Sequence, residues 1–229
     1  MAEEESYPKL ISLAVHELRT PVGVVSGYLR MLALDKESPL SERQRRMVDE
    51  ANKSCTRLVA LLAELSEVSK LDDGTLAIVP RALDLFPLIA DVASGTQEPE
   101  DRGVRVEVVG RAEGATIRGD VDRLRTAFGA IFAAIVREKP GPAVVQVDRR
   151  IIGTGTERSA VVIVAERADA QAAYEAATTP FDEKRGGVGL SLPLARRVIE
   201  AHGGRLWSPA LPDRRAAKSI ALVSLPLQT

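Results

Sequence analysis

The chain has a single cysteine, Cys55, and only two histidines, His16 and His202, among its 229 residues. One cysteine forms no internal disulfide, which fits a reducing compartment. An excess of charge of either sign is missing too: 31 Lys and Arg stand against 32 Asp and Glu, a formal net charge of -1. That balance removes the electrostatic case for nucleic acid or an anionic membrane surface as a partner. No apolar run approaches the roughly 18 residues that suggest a membrane span, and the acidic start, Met1-Ala2-Glu3-Glu4-Glu5, has no apolar signal core. The expectation is a soluble, cytoplasmic protein with neither membrane insertion nor room for an upstream sensor domain. Its signal then arrives through a partner or through the folded core itself. A hydrophobic content of 45% supports a core large enough for one large domain or two modest ones.

With histidine this scarce, the surroundings of His16 carry weight. The stretch His16-Glu17-Leu18-Arg19-Thr20-Pro21 lies in a segment that reads as helix over 6–34, broken by Asp35-Lys36-Glu37-Ser38-Pro39. At about 100° per residue, Leu10, Ala14, Leu18, Pro21, Val25, Tyr28 and Leu32 fall in a sector roughly 80° wide, the expected buried stripe. His16 lies about 155° from its middle and therefore faces solvent, with Thr20 one turn later on the same side. An imidazole there can serve as nucleophile or proton shuttle. Glu17 orients or deprotonates the ring, and Thr20 positions a water or phosphoryl oxygen. Pro21 frees the carbonyl of Glu17. Gly23 and Gly27 continue the outward face and allow another protein to come close.

A second helix, capped by Ser41 and ended by Asp72-Asp73-Gly74, carries Met47, Ala51, Leu58, Leu61, Leu62, Leu65 and Val68 in an approximate seven-residue repeat. The two helices form a hairpin, which encloses little apolar surface alone. A homodimeric four-helix bundle is the economical arrangement. Beyond it the pattern changes. Strands are expected over 76–79, 104–109, 115–118, 143–152, 159–165, 205–207 and 220–225, with helices over 84–95, 120–138 and 191–202. The fold class is α+β: a helical hairpin domain over 1–74 and an α/β sandwich domain over 75–229.

The hexapeptide beginning at His16 resembles the H box of two-component sensor histidine kinases, and the order of elements after it resembles their ATP-binding domain. The resemblance covers nearly the whole chain. It implies that His16 is phosphorylated and exchanges the phosphoryl group with an aspartate of a response-regulator receiver domain, with Glu17 and Thr20 in catalytic roles. Arg185-Gly186-Gly187-Val188-Gly189-Leu190 and the helix leading to His202-Gly203-Gly204 resemble the last glycine box of the family, so Gly187, Gly189 and Leu190 are nucleotide-binding candidates. Phe181 matches the aromatic box, Asp182 to Arg185 would form the lid, and Lys184 or Arg185 would reach phosphates. His202, at a helix end beside two glycines, reads as structural.

Two departures weaken the nucleotide site. The helix opening Asp120-Val121-Asp122-Arg123-Leu124 begins as the family's asparagine box begins, yet Ala130 and Ala134 stand where the two asparagines are expected, the second of which holds magnesium. A methyl group supplies no oxygen ligand. Arg137 retains the usual cation. After the 159–165 strand, where the family has an aspartate reading adenine and a glycine turn, the chain has Glu166-Arg167-Ala168-Asp169-Ala170-Gln171. Glu166 is one methylene too long, Asp169 is displaced by three positions, and a helix or closed loop is suggested instead. Each lost contact is typically worth about a few kcal/mol. The expected function is phosphotransferase or phosphatase through His16, with autokinase activity weak or lost and ATP and Mg2+ as cofactors only if binding survives. No metal ligands are assigned. An upstream histidine kinase is a further possible partner. Two alternatives stay open: an active ATP-dependent autokinase with divergent boxes, and a non-catalytic adaptor binding a regulator or kinase.

Overall fold

The computed structural model describes residues 6–96, 102–155, 157–184, 189–213, 217 and 219–228. The chain divides into two compact units, Met1–Leu76 and Ala77–Thr229. The first is a helical hairpin of α1 (Ser6–Leu34) and α2 (Glu42–Asp72). A capping box starts α2: the Gln44 side chain accepts from the Ser41 backbone N–H at 3.0 Å, and the Ser41 hydroxyl accepts from the Gln44 N–H. The seam between the helices runs on α2 through Val48, Cys55, Leu62 and Ser69, spaced seven apart, the last three buried. Buried Ser69 donates its hydroxyl to the Pro8 carbonyl at 2.7 Å, which fixes the register of the hairpin.

On α1 the seam is not the expected stripe. Val15 is buried and Ile11, Val22 and Leu29 are half-buried, whereas Leu10, Leu18, Val25, Tyr28 and Leu32 are exposed, Leu10 by 60% and Tyr28 by 64%. The observed seam lies roughly 75° round the helix from the expected one. The reason is that α1 carries two adjacent apolar sectors, and the hairpin uses the second. Only Ala14 of the expected set is half-buried.

The second unit contains β1 (Arg81–Asp84), α3 (Leu85–Ser94), β2 (Val104–Gly110), β3 (Thr116–Gly119), α4 (Val121–Arg137), β4 (Ala143–Ile152), β5 (Ser159–Glu166), α5 (Ala170–Glu175), β6 (Thr178–Pro180), α6 (Ser191–Ala201), β7 (Arg205–Pro209) and β8 (Ala221–Pro226). Six strands form a sheet in the order β2-β4-β5-β8-β7-β6, parallel between β2 and β4 and antiparallel elsewhere; β1 and β3 form a separate antiparallel pair. The architecture is the expected α+β class. The strand expected over 76–79 is absent: the Leu76 N–H goes to the Lys70 carbonyl and the Val79 N–H to the Asp120 carboxylate, so this backbone is satisfied away from any sheet.

The β5 strand is buried on both faces, which explains its unbroken Ala160-Val161-Val162-Ile163-Val164-Ala165 run. Val161, Ile163 and Ala165 cluster with Ile220 and Leu222 and with Ala170 and Ala173 of α5. Strand alternation turns Val162 and Val164 the other way, toward the layer in which α4 packs between α3 and α6. Phe128, Ile131, Phe132 and Ile135 give α4 a wholly buried face. The Gly203-Gly204 turn returns the chain from α6 to β7. A Cβ at Gly204 would sit 2.4 Å from the Ser224 carbonyl oxygen, so only glycine fits there.

Candidate functional site

His16 stands on the open surface of α1, its side chain 78% exposed. Its Nδ1 lies 3.2 Å from Oε1 of Glu17. With the glutamate ionised, that bond puts the ring proton on Nδ1 and leaves the Nε2 lone pair facing outward. Glu17 is itself 71% exposed, so the contact orients the ring more than it holds it. Thr20 is exposed one turn along, and a Cβ at Gly23 or Gly27 would meet no atom within 4 Å. The arrangement is a nucleophilic nitrogen with an adjacent acid or base, a hydroxyl, and a smooth approach on the same helix face.

The second unit positions the residues expected around a nucleotide. Asp120 caps α4, accepting from the N–H of Arg123 at 3.2 Å and from that of Val79 at 3.1 Å. Burial alone would raise its pKa; those two N–H groups, with Arg123 and His202 nearby, outweigh burial and hold the carboxyl below its ordinary value of 3.8. His202 is built into the same corner. Its Nε2 accepts from the Asp120 N–H at 2.9 Å, and its Nδ1–H donates to the Val198 carbonyl at 2.6 Å. Both nitrogens are engaged in structural bonds, as its place at the end of α6 suggested.

Ala130 is half-buried on α4 and Ala134 fully buried, so neither position presents an oxygen. Arg137 is exposed at the last turn of α4, where it lines a cleft between α3 and α4. Glu166 ends β5 already paired: its Oε2 lies 3.1 Å from Nζ of Lys139, which also donates to the Ser219 hydroxyl at 2.9 Å. Lys139 is buried, and nothing in the sequence beside it, Lys139-Pro140-Gly141-Pro142, marks it as such. Asp169 occupies the N-cap position of α5 without a side-chain cap bond, its own N–H bonded to the Glu166 carbonyl at 2.8 Å. These residues do not fit a nucleotide held with its metal in the manner the resemblance implies, since oxygen ligands are replaced by methyl groups and the acid is occupied by an ammonium.

Gly189 has a positive φ of 71°, and Leu190 follows as the N-cap of α6, its carbonyl accepting from the Leu194 N–H at 3.0 Å. Gly187 and Arg185 lie outside the described residues. Phe181 is buried. In the expected lid, Asp182 accepts from the Lys184 N–H at 3.0 Å and Glu183 ion-pairs with Arg196 of α6. His16, Glu17 and Thr20 thus share one helix face, and the nucleotide-type candidates are distributed around α4, β5 and the start of α6.

Residues 9–74 match the His Kinase A (phospho-acceptor) domain. The chain is 26% identical over 201 residues to the circadian input-output histidine kinase CikA of Synechococcus elongatus, covering 83% of this chain and 26% of that protein. It is 22% identical over 230 residues to the sensor protein VanS of Enterococcus faecium, covering 93% of this chain and 59% of that protein. The chain therefore spans between about a quarter and three fifths of the length of these relatives. Among solved structures, full-length ShkA in complex with AMPPNP superposes with a TM-score of 0.70 at 20% identity, over 97% of this chain and 46% of that one. The histidine kinase ThkA, solved with the response regulator TrrA, superposes with a TM-score of 0.57 at 16% identity, over 96% of this chain and 61% of that one. No helix among the described residues is long and apolar enough to cross a membrane. A phospho-acceptor domain around His16 and a following α/β unit of the fold seen in these kinases give the chain the organisation of a two-component histidine kinase transmitter core.

Proposed function

We propose that this transmitter core works as a cytoplasmic homodimer whose His16 exchanges phosphoryl groups with a receiver-domain aspartate, and that its own autokinase activity is weak or lost. The observation that carries the reading is the solvent-facing His16 ring, with Nδ1 toward Glu17 and Nε2 open. In the transfer, Nε2 attacks the phosphorus of an acyl phosphate on the partner, the P–O bond to the aspartate breaks, and the aspartate leaves as a carboxylate. Glu17 stabilises the imidazolium character that develops as the N–P bond forms. In the phosphatase direction Thr20 positions water against the same phosphorus, and inorganic phosphate leaves. Support for a weak autokinase comes from Ala130, Ala134 and the Lys139–Glu166 pair. Phosphoryl transfer from ATP relies on metal and positioned charge, which these positions do not supply.

The test is incubation with radiolabelled ATP and magnesium or manganese, followed by a phosphorylated receiver domain or a phosphorylated partner kinase. The expected result is no label from ATP, and either acid-labile, base-stable label on the chain or accelerated loss of phosphate from the receiver, both abolished by His16→Ala. Strong ATP labelling abolished by His16→Ala would show an autokinase and overturn the reading. Binding of the receiver with neither transfer nor dephosphorylation would show an adaptor and overturn it equally.

A further inference from the structure

We infer that the cleft between α3 and α4 is a binding site for a small phosphate-bearing molecule. The cleft has a volume of about 720 Å³, within the range of small-molecule sites. Among the described residues, three guanidinium groups border it, those of Arg102, Arg125 and Arg137, against one carboxylate, Asp91. Asp91 is ion-paired with Arg125. Among the described lining residues two positive charges are left in surplus, and a concave surface of one sign concentrates ligands of the other.

Two of the three cations are held in place by the protein itself. Arg125 is anchored by Asp91, and Nη1 of Arg102 donates to the carbonyls of Arg137 and Lys139, each at 3.2 Å. A fork fixed in advance loses less freedom when it binds, and its remaining N–H groups match the paired oxygens of a phosphate. Arg137, the third, has no side-chain hydrogen bond or ion pair among the described residues. The hydroxyls of Ser94 and Thr96 compete little, because each donates to a carbonyl in the last turns of α3, Asp91 and Val92 respectively.

The floor is apolar. Val92, Gly129, Ala133 and Val136 line it. Glycine within a helix is unfavourable relative to alanine, and packing does not demand it at 129. A Cβ there would meet only Cγ1 of Val92 at 3.9 Å, an ordinary contact. What Gly129 preserves is open space beside the cations. An apolar floor below fixed guanidinium groups suits a ligand with its phosphate on the arginines and a flat ring on the floor.

The experiment is a calorimetric titration of the full chain with inorganic pyrophosphate, without metal and at low salt, repeated with citrate. Saturable binding of one pyrophosphate per chain is expected, weaker by about ten-fold or more in the R102Q/R137Q double variant and unchanged in Arg81→Gln, an exposed arginine of β1 outside the cleft lining. Arg137→Gln alone, which removes no side-chain hydrogen bond or ion pair among the described residues, is expected to weaken binding several-fold with an unaltered melting temperature. Absence of saturable binding, retention in the double variant, loss in Arg81→Gln, or equal binding of citrate would each overturn the assignment.

Discussion

Lys139 and Glu166 form a pair of unequal burial, and that inequality decides what each contributes. The lysine side chain is 6% exposed and the glutamate 42%. Removing the lysine leaves a carboxylate that water can solvate, whereas removing the carboxylate leaves a buried ammonium with Ser219 alone. Glu166→Ala is therefore expected to cost about 2–3 kcal/mol and Lys139→Met about 1 kcal/mol. Urea unfolding followed by circular dichroism measures both; equal losses would mean that the pair acts as a surface ion pair. The two sites differed in how far they could be read from residues alone. Exposure of His16 follows from helical periodicity along α1, because the ring lies on the far side of the helix from both apolar sectors. The Lys139 contact joins residues 27 and 80 positions apart, and nothing local marks that lysine as buried.

At the scale of the element, the start of α4 shows how one helix terminus joins distant parts of the second unit. Asp120 supplies the cap, ties down the 79 backbone N–H, and receives through its own N–H the imidazole that ends α6. Because its folded pKa is depressed below 3.8, the stabilisation is fully present above that value and is lost as pH falls through the lower folded value. Asp120→Asn keeps an acceptor but loses the charge. The stability difference between the original chain and this variant is expected to be constant above about pH 5 and to shrink below about pH 4. Thermal melts across that range check it, and a difference that grows on acidification would contradict it. Helix ends were legible for the same physical reason: Ser41, Asp84 and Asp120 all cap helices in the structure. The 76–79 segment misled because apolar residues beside a turn look like a strand until their N–H partners are known. The face of α1 misled because periodicity finds apolar sectors without saying which neighbour covers each one.

For the whole molecule, the apolar sector that the hairpin leaves uncovered becomes the main question. Leu10, Leu18, Val25, Tyr28 and Leu32 on α1, and Met47 and Leu58 on α2, remain exposed after the hairpin has formed. Burying such a side chain contributes about 1.5–3 kcal/mol, so seven left in water are a substantial unused driving force. The homodimer proposed above would cover these side chains in a four-helix bundle, the isologous solution in which the same surface meets itself. Light scattering on the eluting protein is expected to give twice the 24.6 kDa chain mass. Val25→Glu with Leu58→Glu places like charges on that face and is expected to shift the mass to a single chain at micromolar concentration. Far-ultraviolet dichroism should keep its helical signal, because Val15, Cys55 and Leu62, which hold the hairpin itself, are untouched. A monomeric original chain would mean that this surface is covered by something other than its own copy. Loss of helix together with the mass change would mean instead that hairpin and dimer fold as one unit.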